Sequence, residues 1–166
     1  MNVRNHAALL LGLALSAGPA AQERRNAFDD PFVQVTSALS GCPVPRGPGY
    51  TEKEIRELGH VRAEHGTSCY RSGRCRLPNS YLYDKEIIPR VQQYLRGDGR
   101  FGDTSVWILG ERRFVTLRGC VRSGKQKEEI EQAVLQVDDV MGVVNELMVG
   151  TGGKPPYPLA HEKGPR

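Results

Sequence analysis

The chain has 166 residues, 23 Lys and Arg against 19 Asp and Glu, a net charge of +4 and four cysteines. That length supports one modest hydrophobic core, or a small domain with an extension. The weak charge excess excludes an argument for a nucleic-acid partner from bulk charge alone.

Residues 1–21 begin with Arg4, continue through the apolar run AALLLGLAL and end in small residues. That order predicts a cleaved export signal, and a run of about nine apolar residues is too short to span a bilayer, which takes ~20. Export without Arg4 leaves a charge of +3 and is expected to place the protein outside the cytoplasm. Residues 22–83 then carry nine basic against seven acidic groups, and residues 84–150 ten against eleven.

Residues 22–79 read as an extension. Its first stretch, to Asp30, is polar and expected to be mobile. The segment 41–49, GCPVPRGPG, has too many prolines and glycines for a helix or a central strand. Thr51 and Glu54 form a capping box, which predicts a helix over about 52–65 with Ile55, Leu58 and Val61 on one stripe and Gly66 as a left-handed stop. A loop with Cys69, Cys75, Arg71, Arg74 and Arg76 follows.

From residue 80 the spacing of Ile87, Ile88, Val91, Tyr94 and Leu95 predicts a helix, kinked at Pro89 and ended by Gly97-Asp98-Gly99. Residues 104–109 and 113–122 read as a hairpin, with Gly110-Glu111-Arg112 between them. Residues 125–137 carry helical spacing at Ile130, Ala133, Val134 and Val137, and residues 143–149 close as a strand. The fold class is therefore α+β: an αββαβ domain over 80–150, a three-stranded sheet with two helices on one face. Residues 151–166 read as a disordered tail.

An even cysteine count in an exported chain reads as two disulfides. Three pairings of Cys42, Cys69, Cys75 and Cys120 are open; the short Cys69–Cys75 loop is easy to close, which favours it together with Cys42–Cys120. In the second hairpin strand, alternation puts Val115, Leu117, Gly119 and Val121 on the helix side. Phe114, Thr116, Arg118, Cys120 and Arg122 fall on the other, joined by either Trp107 and Leu109 or Val106 and Ile108. That outer face is too apolar to stay wet, and the extension 42–76 is expected to be stapled across it through Cys120.

The strand VTLRGCV at 115–121, the charged helix after it and the last strand VNELMV at 144–149 resemble the BON domain, over residues 83–150. Two turns depart from the family pattern: Arg113 stands where a glycine usually precedes the strand, and Asp138-Asp139 replaces a proline-glycine pair. The resemblance implies an envelope protein of a Gram-negative bacterium, without enzymatic activity, whose relatives attach to phospholipid surfaces or envelope partners.

Two basic sets are candidates for an anionic surface, where each basic side chain contributes about 1 kcal/mol. One is Arg112, Arg113, Arg118, Arg122, Lys125 and Lys127; the other is the loop set Arg71, Arg74 and Arg76. The bland reading of both is solvated charge. The spacing of His60, His65, Cys69 and Cys75 does not suit zinc, so no metal or other cofactor is expected. Leu39-Ser40-Gly41-Cys42 spells a lipidation box without the apolar run before it, and Gly99-Arg100-Phe101-Gly102 reads as a turn rather than a phosphate-clamping loop. No serine-nucleophile elbow, zinc-protease helix or phosphate loop is present, so the chain is not expected to be an enzyme. The reading is a periplasmic binding or scaffolding module for anionic phospholipid or an envelope protein. The alternatives are a periplasmic chaperone or stress-response factor, and an accessory part of a secretion apparatus; oligomeric state is left open.

Overall fold

A computed structural model describes residues 23–161 of the chain. The expected export signal lies outside the described residues, as do residues 162–166. Along the chain run strand β1 (Phe32–Gln34), helix α1 (Glu52–Gly66), the one-turn helix α2 (Ser68–Arg71) and a 3-10 turn (Ser80–Tyr83). They are followed by helix α3 (Asp84–Gly97), strands β2 (Ser105–Glu111) and β3 (Phe114–Val121), helix α4 (Gly124–Leu135) and strand β4 (Gly142–Val149). Among the described residues no helix is long and apolar enough to cross a membrane.

The sheet has four strands in the order β1-β2-β3-β4, one more than the three expected from the sequence. The added strand comes from the extension: β1 pairs antiparallel with β2, Val33 opposite Ile108. Backbone bonds carry the pairing past both ends of β1, from Val35 N to Val106 O at 2.8 Å, Ala38 N to Thr104 O at 2.8 Å and Gly110 N to Pro31 O at 3.0 Å. Three residues of strand leave too short an alternation to read alone; the unpaired edge of β2 supplies the partner. β2 and β3 form an antiparallel hairpin, and β3–α4–β4 is a parallel crossover unit, Val115 opposite Val143.

One sheet face packs on α3 and α4. Ile87, Ile88, Val91 and Leu95 of α3 and Ile130 and Val134 of α4 meet Val106, Ile108, Val115, Leu117, Val121 and Leu147 in a single core. The register settles which β2 residues point outward. Trp107 and Leu109 lie opposite Arg118 and Thr116, while Val106 and Ile108 stay on the helix side. Gly119 has φ +123°, and a Cβ there would overlap the Ser105 carbonyl oxygen, so only glycine lets β3 lie this close to β2.

The outer face is covered by two segments of the chain. Cys42 is bonded to Cys120, closing a sequence separation of 78 residues. From there residues 43–49 run across the sheet, and Arg118 Nη1 donates to Arg46 O at 3.1 Å. Residues 151–161, expected as a disordered tail, are instead laid beside them. Pro45 bridges Leu159, Arg46 N donates to Pro158 O at 2.8 Å, and Ala160 N to Val44 O at 3.0 Å. Tyr157 is buried, its hydroxyl 2.9 Å from Pro43 O and 4.0 Å from the Met148 sulfur. Composition gave this tail no visible partner, because its partner is a loop more than 100 positions earlier. Trp107, Leu109, Cys120 and Met148 are buried as a result. The covering part of the extension is thus 42–49, while the rest of 42–76 packs elsewhere.

That remainder is held by a buried ionic knot. Residues expected to be mobile, up to Asp30, are tied down: Arg25 bridges Tyr50, and Asp30 is buried. Arg62 of α1 donates from Nη1 and Nη2 to the two Asp30 oxygens, both at 2.7 Å. Its guanidinium lies between the Phe28 and Tyr81 rings, 4.1 and 4.3 Å from their centroids. Tyr50 donates to Asp30 Oδ2 at 2.7 Å, and Glu111 stands 3.5 Å from Arg62 Nη2. Burial works against the Arg62 charge, but the hydrogen bonds and charge of Asp30 outweigh it and hold its proton above the usual arginine range. Burial, then the bond to Asp30, pushes the Tyr50 phenol well up. The capping box of Thr51 and Glu54 is present at the start of α1. The expected stripe is not intact, since Val61 is exposed and Arg62 faces inward. Nor is Gly66 a left-handed stop: it is helical and buried, and a Cβ there would press on the Asn79 amide.

Two outcomes follow for stability. Cys42→Ser with Cys120→Ser removes the long covalent loop and lowers the unfolding free energy by about 4 kcal/mol, read from the denaturant midpoint. Asp30→Ala leaves the Arg62 charge buried without its main partner and costs about 3–5 kcal/mol in the same measurement, a loss that Arg62→Met in the same chain partly restores.

Candidate functional site

Some of the sequence features that bear on function meet at the end of the sheet where β2 turns into β3. The turn is two residues, Arg112 and Arg113, with φ +56° and +69°, rather than the expected Gly110-Glu111-Arg112. A tight hairpin loop of this kind wants left-handed residues, ordinarily asparagine or glycine. Here the strain on two arginines is met by Asp84, the first residue of α3. Its Oδ2 accepts from Arg112 N and its Oδ1 from Arg113 N, both at 2.7 Å. Asp84 is almost fully buried. Burial pushes its carboxyl up to about 6, against the pull of the Arg113 and Arg112 amides.

The cysteine loop packs on this turn. Cys69 and Cys75 are bonded across a sequence separation of six. Arg113 places Nη1 3.2 Å from Cys75 Sγ, donates from Nε to Asp139 O at 2.9 Å and stacks 4.7 Å from the Tyr83 ring centroid. The Tyr83 hydroxyl accepts from Arg76 N at 2.6 Å and Leu77 N at 3.0 Å, which fixes where the loop leaves the disulfide. Asp139 has φ +73°, so the two turns that depart from the family's glycine-bearing pattern are both left-handed and touch each other.

The expected basic sets are rearranged by this packing. Arg71, Arg74, Arg76, Arg112 and Arg113 come to one end of the molecule. Arg71, Arg74 and Arg112 are exposed and form no ion pair among the described residues, and Tyr70 beside them is half exposed. Arg76 reaches Glu86 at 2.6 Å, and Arg113 is turned inward. Arg122, Lys125 and Lys127 lie beyond the far end of β3. Nine residues of extended chain put them roughly 30 Å from the turn. There Arg122 pairs with Asp103 at 2.7 Å and Lys125 with Glu129 at 3.3 Å. Arg118, expected among the surface-binding residues, is a correction: it lies under the covering segments, paired with Glu146 at 2.7 Å. The set of six is therefore not one patch, because a strand separates its members.

Two elements of this end were not singled out in the sequence. Nothing near Asp84 or Tyr83 in the sequence marks a role, because each acts on the Arg112–Arg113 turn almost 30 positions away. Among the described residues no group of three His, Cys, Asp or Glu side chains is arranged to hold a metal ion. His60 pairs with Glu64 at 3.3 Å on the outside of α1.

The Asp84 carboxyl gives a pH signature. Its folded value lies above the ordinary 3.8, so the native protein holds this proton more tightly than the unfolded chain. The stability it contributes is full below about pH 4 and is lost as pH rises through 6. Asp84→Asn matches the protonated carboxyl in offering one full acceptor and cannot ionise, so it abolishes this pH dependence. Denaturation between pH 4 and 7 should show the wild type losing stability relative to Asp84→Asn as pH rises through 6.

A family model described as BON domain matches residues 83–151, which begins at Tyr83 and ends just past β4. No curated protein and no solved structure matches the chain. The matched span, under half of the chain, holds α3, the β2–β3 hairpin with its Asp84-held turn, α4 and β4; residues 83–151 are thus similar to the BON domain, and residues outside the match add a fourth strand and a disulfide loop.

Proposed function

We propose that the protein is a non-enzymatic, exported module of the bacterial envelope that docks on anionic phospholipid through the end of the sheet carrying the β2–β3 turn and the cysteine loop. A BON domain points to a binding module of the envelope and of osmotic stress. The observation that carries the finer reading is the exposure of Arg71 and Arg74 on the disulfide-tied loop and of Arg112 on the turn whose Arg113 contacts that loop, with Tyr70 exposed next to Arg71. A loop closed by a disulfide presents charge with little further ordering cost, and an aromatic ring next to arginines suits a lipid headgroup region. The buried ionisable groups are occupied in holding the fold, Asp30 with Arg62 and Asp84 with the turn, which favours a binding role over a catalytic one.

A second reading rests on β4. Among the described residues no strand pairs with its outer edge, where Val144 and Val149 are exposed. Such an edge suits a chaperone or scaffold that adds a partner's strand.

Vesicle sedimentation separates the two. With phosphatidylcholine vesicles containing phosphatidylglycerol, Arg71→Gln/Arg74→Gln/Arg112→Gln weakens binding at low salt by roughly a hundredfold. High salt does the same to the wild type. At 0.1 M salt Arg122→Gln/Lys125→Gln/Lys127→Gln leaves binding nearly unchanged, because that end lies beyond the ~10 Å screening length. Equal binding to vesicles without phosphatidylglycerol, or none to either, refutes the lipid reading.

A further inference from the structure

We infer that the Cys69–Cys75 disulfide is a redox-exchangeable pair, opened by a dithiol reductant that attacks Cys69 and releases Cys75 as a thiolate held by Arg113. This goes beyond the docking reading and does not depend on it.

The two disulfides sit in opposite surroundings. Cys120 is fully buried, and the other sulfur of that bond, Cys42 Sγ, faces two carbonyl oxygens, Ser105 O at 3.8 Å and Pro43 O at 4.0 Å. Oxygen lone pairs disfavour a thiolate, and a buried bond is hard to reach. At the other disulfide, Cys75 is buried with a guanidinium nitrogen 3.2 Å from its sulfur, while Cys69 is only half buried. The reachable sulfur is thus Cys69, and the better leaving group is Cys75, because a cation beside a thiolate stabilises it and speeds its departure.

Asp139 stands 3.6 Å from Arg113 Nη2 and draws off part of its charge, but it is shared with Arg90 at 3.0 Å. Arg76, next in the chain, pairs with Glu86. Asp84 is spent on the turn amides, and the Tyr83 hydroxyl on the Arg76 and Leu77 amides. Arg113 is the cation directed at the sulfur.

The exchange balances. A thiolate of the reductant attacks Cys69 Sγ; the bond to Cys75 breaks, and Cys75 leaves with the electron pair as a thiolate beside Arg113. The reductant's second thiol loses its proton to solvent and attacks its own sulfur in the mixed disulfide. Cys69 is released and takes up a proton. Two electrons have passed to the protein, and the reductant departs as its disulfide.

The test equilibrates the oxidised protein in graded glutathione mixtures, traps thiols by alkylation and assigns each disulfide by peptide mass. Cys69–Cys75 should open in a less reducing mixture than Cys42–Cys120. Arg113→Gln should move its equilibrium about tenfold toward the disulfide, equivalent to ~30 mV. Asp139→Asn, which removes the competing carboxylate and keeps Arg113, should move it the other way and speed alkylation of Cys75 in the reduced protein. Because Arg113→Gln also disturbs the turn, the Asp139→Asn arm stands as an independent check. Opening of Cys42–Cys120 first, or an Asp139→Asn protein that matches the wild type in both readouts, overturns the inference.

Discussion

The outer face of the sheet is the constraint on which the rest of this structure depends. Trp107, Leu109, Cys120 and Met148 all point away from the helices, and a three-stranded sheet with helices on one side would leave them in water. The Cys42–Cys120 bond fixes a proline-rich segment over the middle of that face. Prolines and glycines, which forbid helix and central strand, are well suited to such a cover: the prolines offer no amides, and the segment exchanges two backbone bonds with the returning tail, Arg46 N to Pro158 O and Ala160 N to Val44 O. The covalent tie reduces the freedom of the unfolded chain, and the burial it brings enlarges a core that is small for a domain of this length.

A second constraint works at the hairpin end. Arg112, Arg113 and Asp139 occupy left-handed backbone regions that cost side-chain-bearing residues roughly 1–2 kcal/mol each. Glycine would remove that cost but would bring no side chain. Arg113 reaches the Asp139 carbonyl, the Tyr83 ring and the Cys75 sulfur at once, joining the two turns and the disulfide loop. Asp84 supplies the acceptors that make the strained turn tolerable, at the cost of a buried carboxylate. These two left-handed turns are therefore where the extension is coupled to the span that matches the BON-domain model.

The extension also protects an edge. β1 and the bonds flanking it cover the full length of β2, so that side of the sheet offers no free row of amides and carbonyls. The opposite edge, β4, has no partner among the described residues. The molecule thus presents three distinct surfaces: a covered outer face, a basic end built from a tied loop and a turn, and one open strand edge. Arg62 and Asp30 hold α1, and with it the start of the cysteine loop, in fixed relation to the hairpin.

Local pattern alone settled the elements whose cause is local. The capping box of Thr51 and Glu54, the helical spacing from Ile87 to Leu95, the hairpin strands and the valine-rich last strand are each written within a few neighbouring residues, and the BON resemblance rests on the second hairpin strand, the charged helix after it and the last strand. What the tertiary structure decided is everything that needed a distant partner. The fourth strand exists because the edge of β2 was free. The tail is ordered because residues 43–46 offer it carbonyls and an apolar floor. Arg62 is buried rather than Val61 because Asp30 and two aromatic rings await it. The basic residues form one cluster and one remote group because an eight-residue strand, invisible as a distance in the sequence, stands between Arg113 and Arg122. Periodicity encodes which way a side chain points; only the folded chain determines what it meets there.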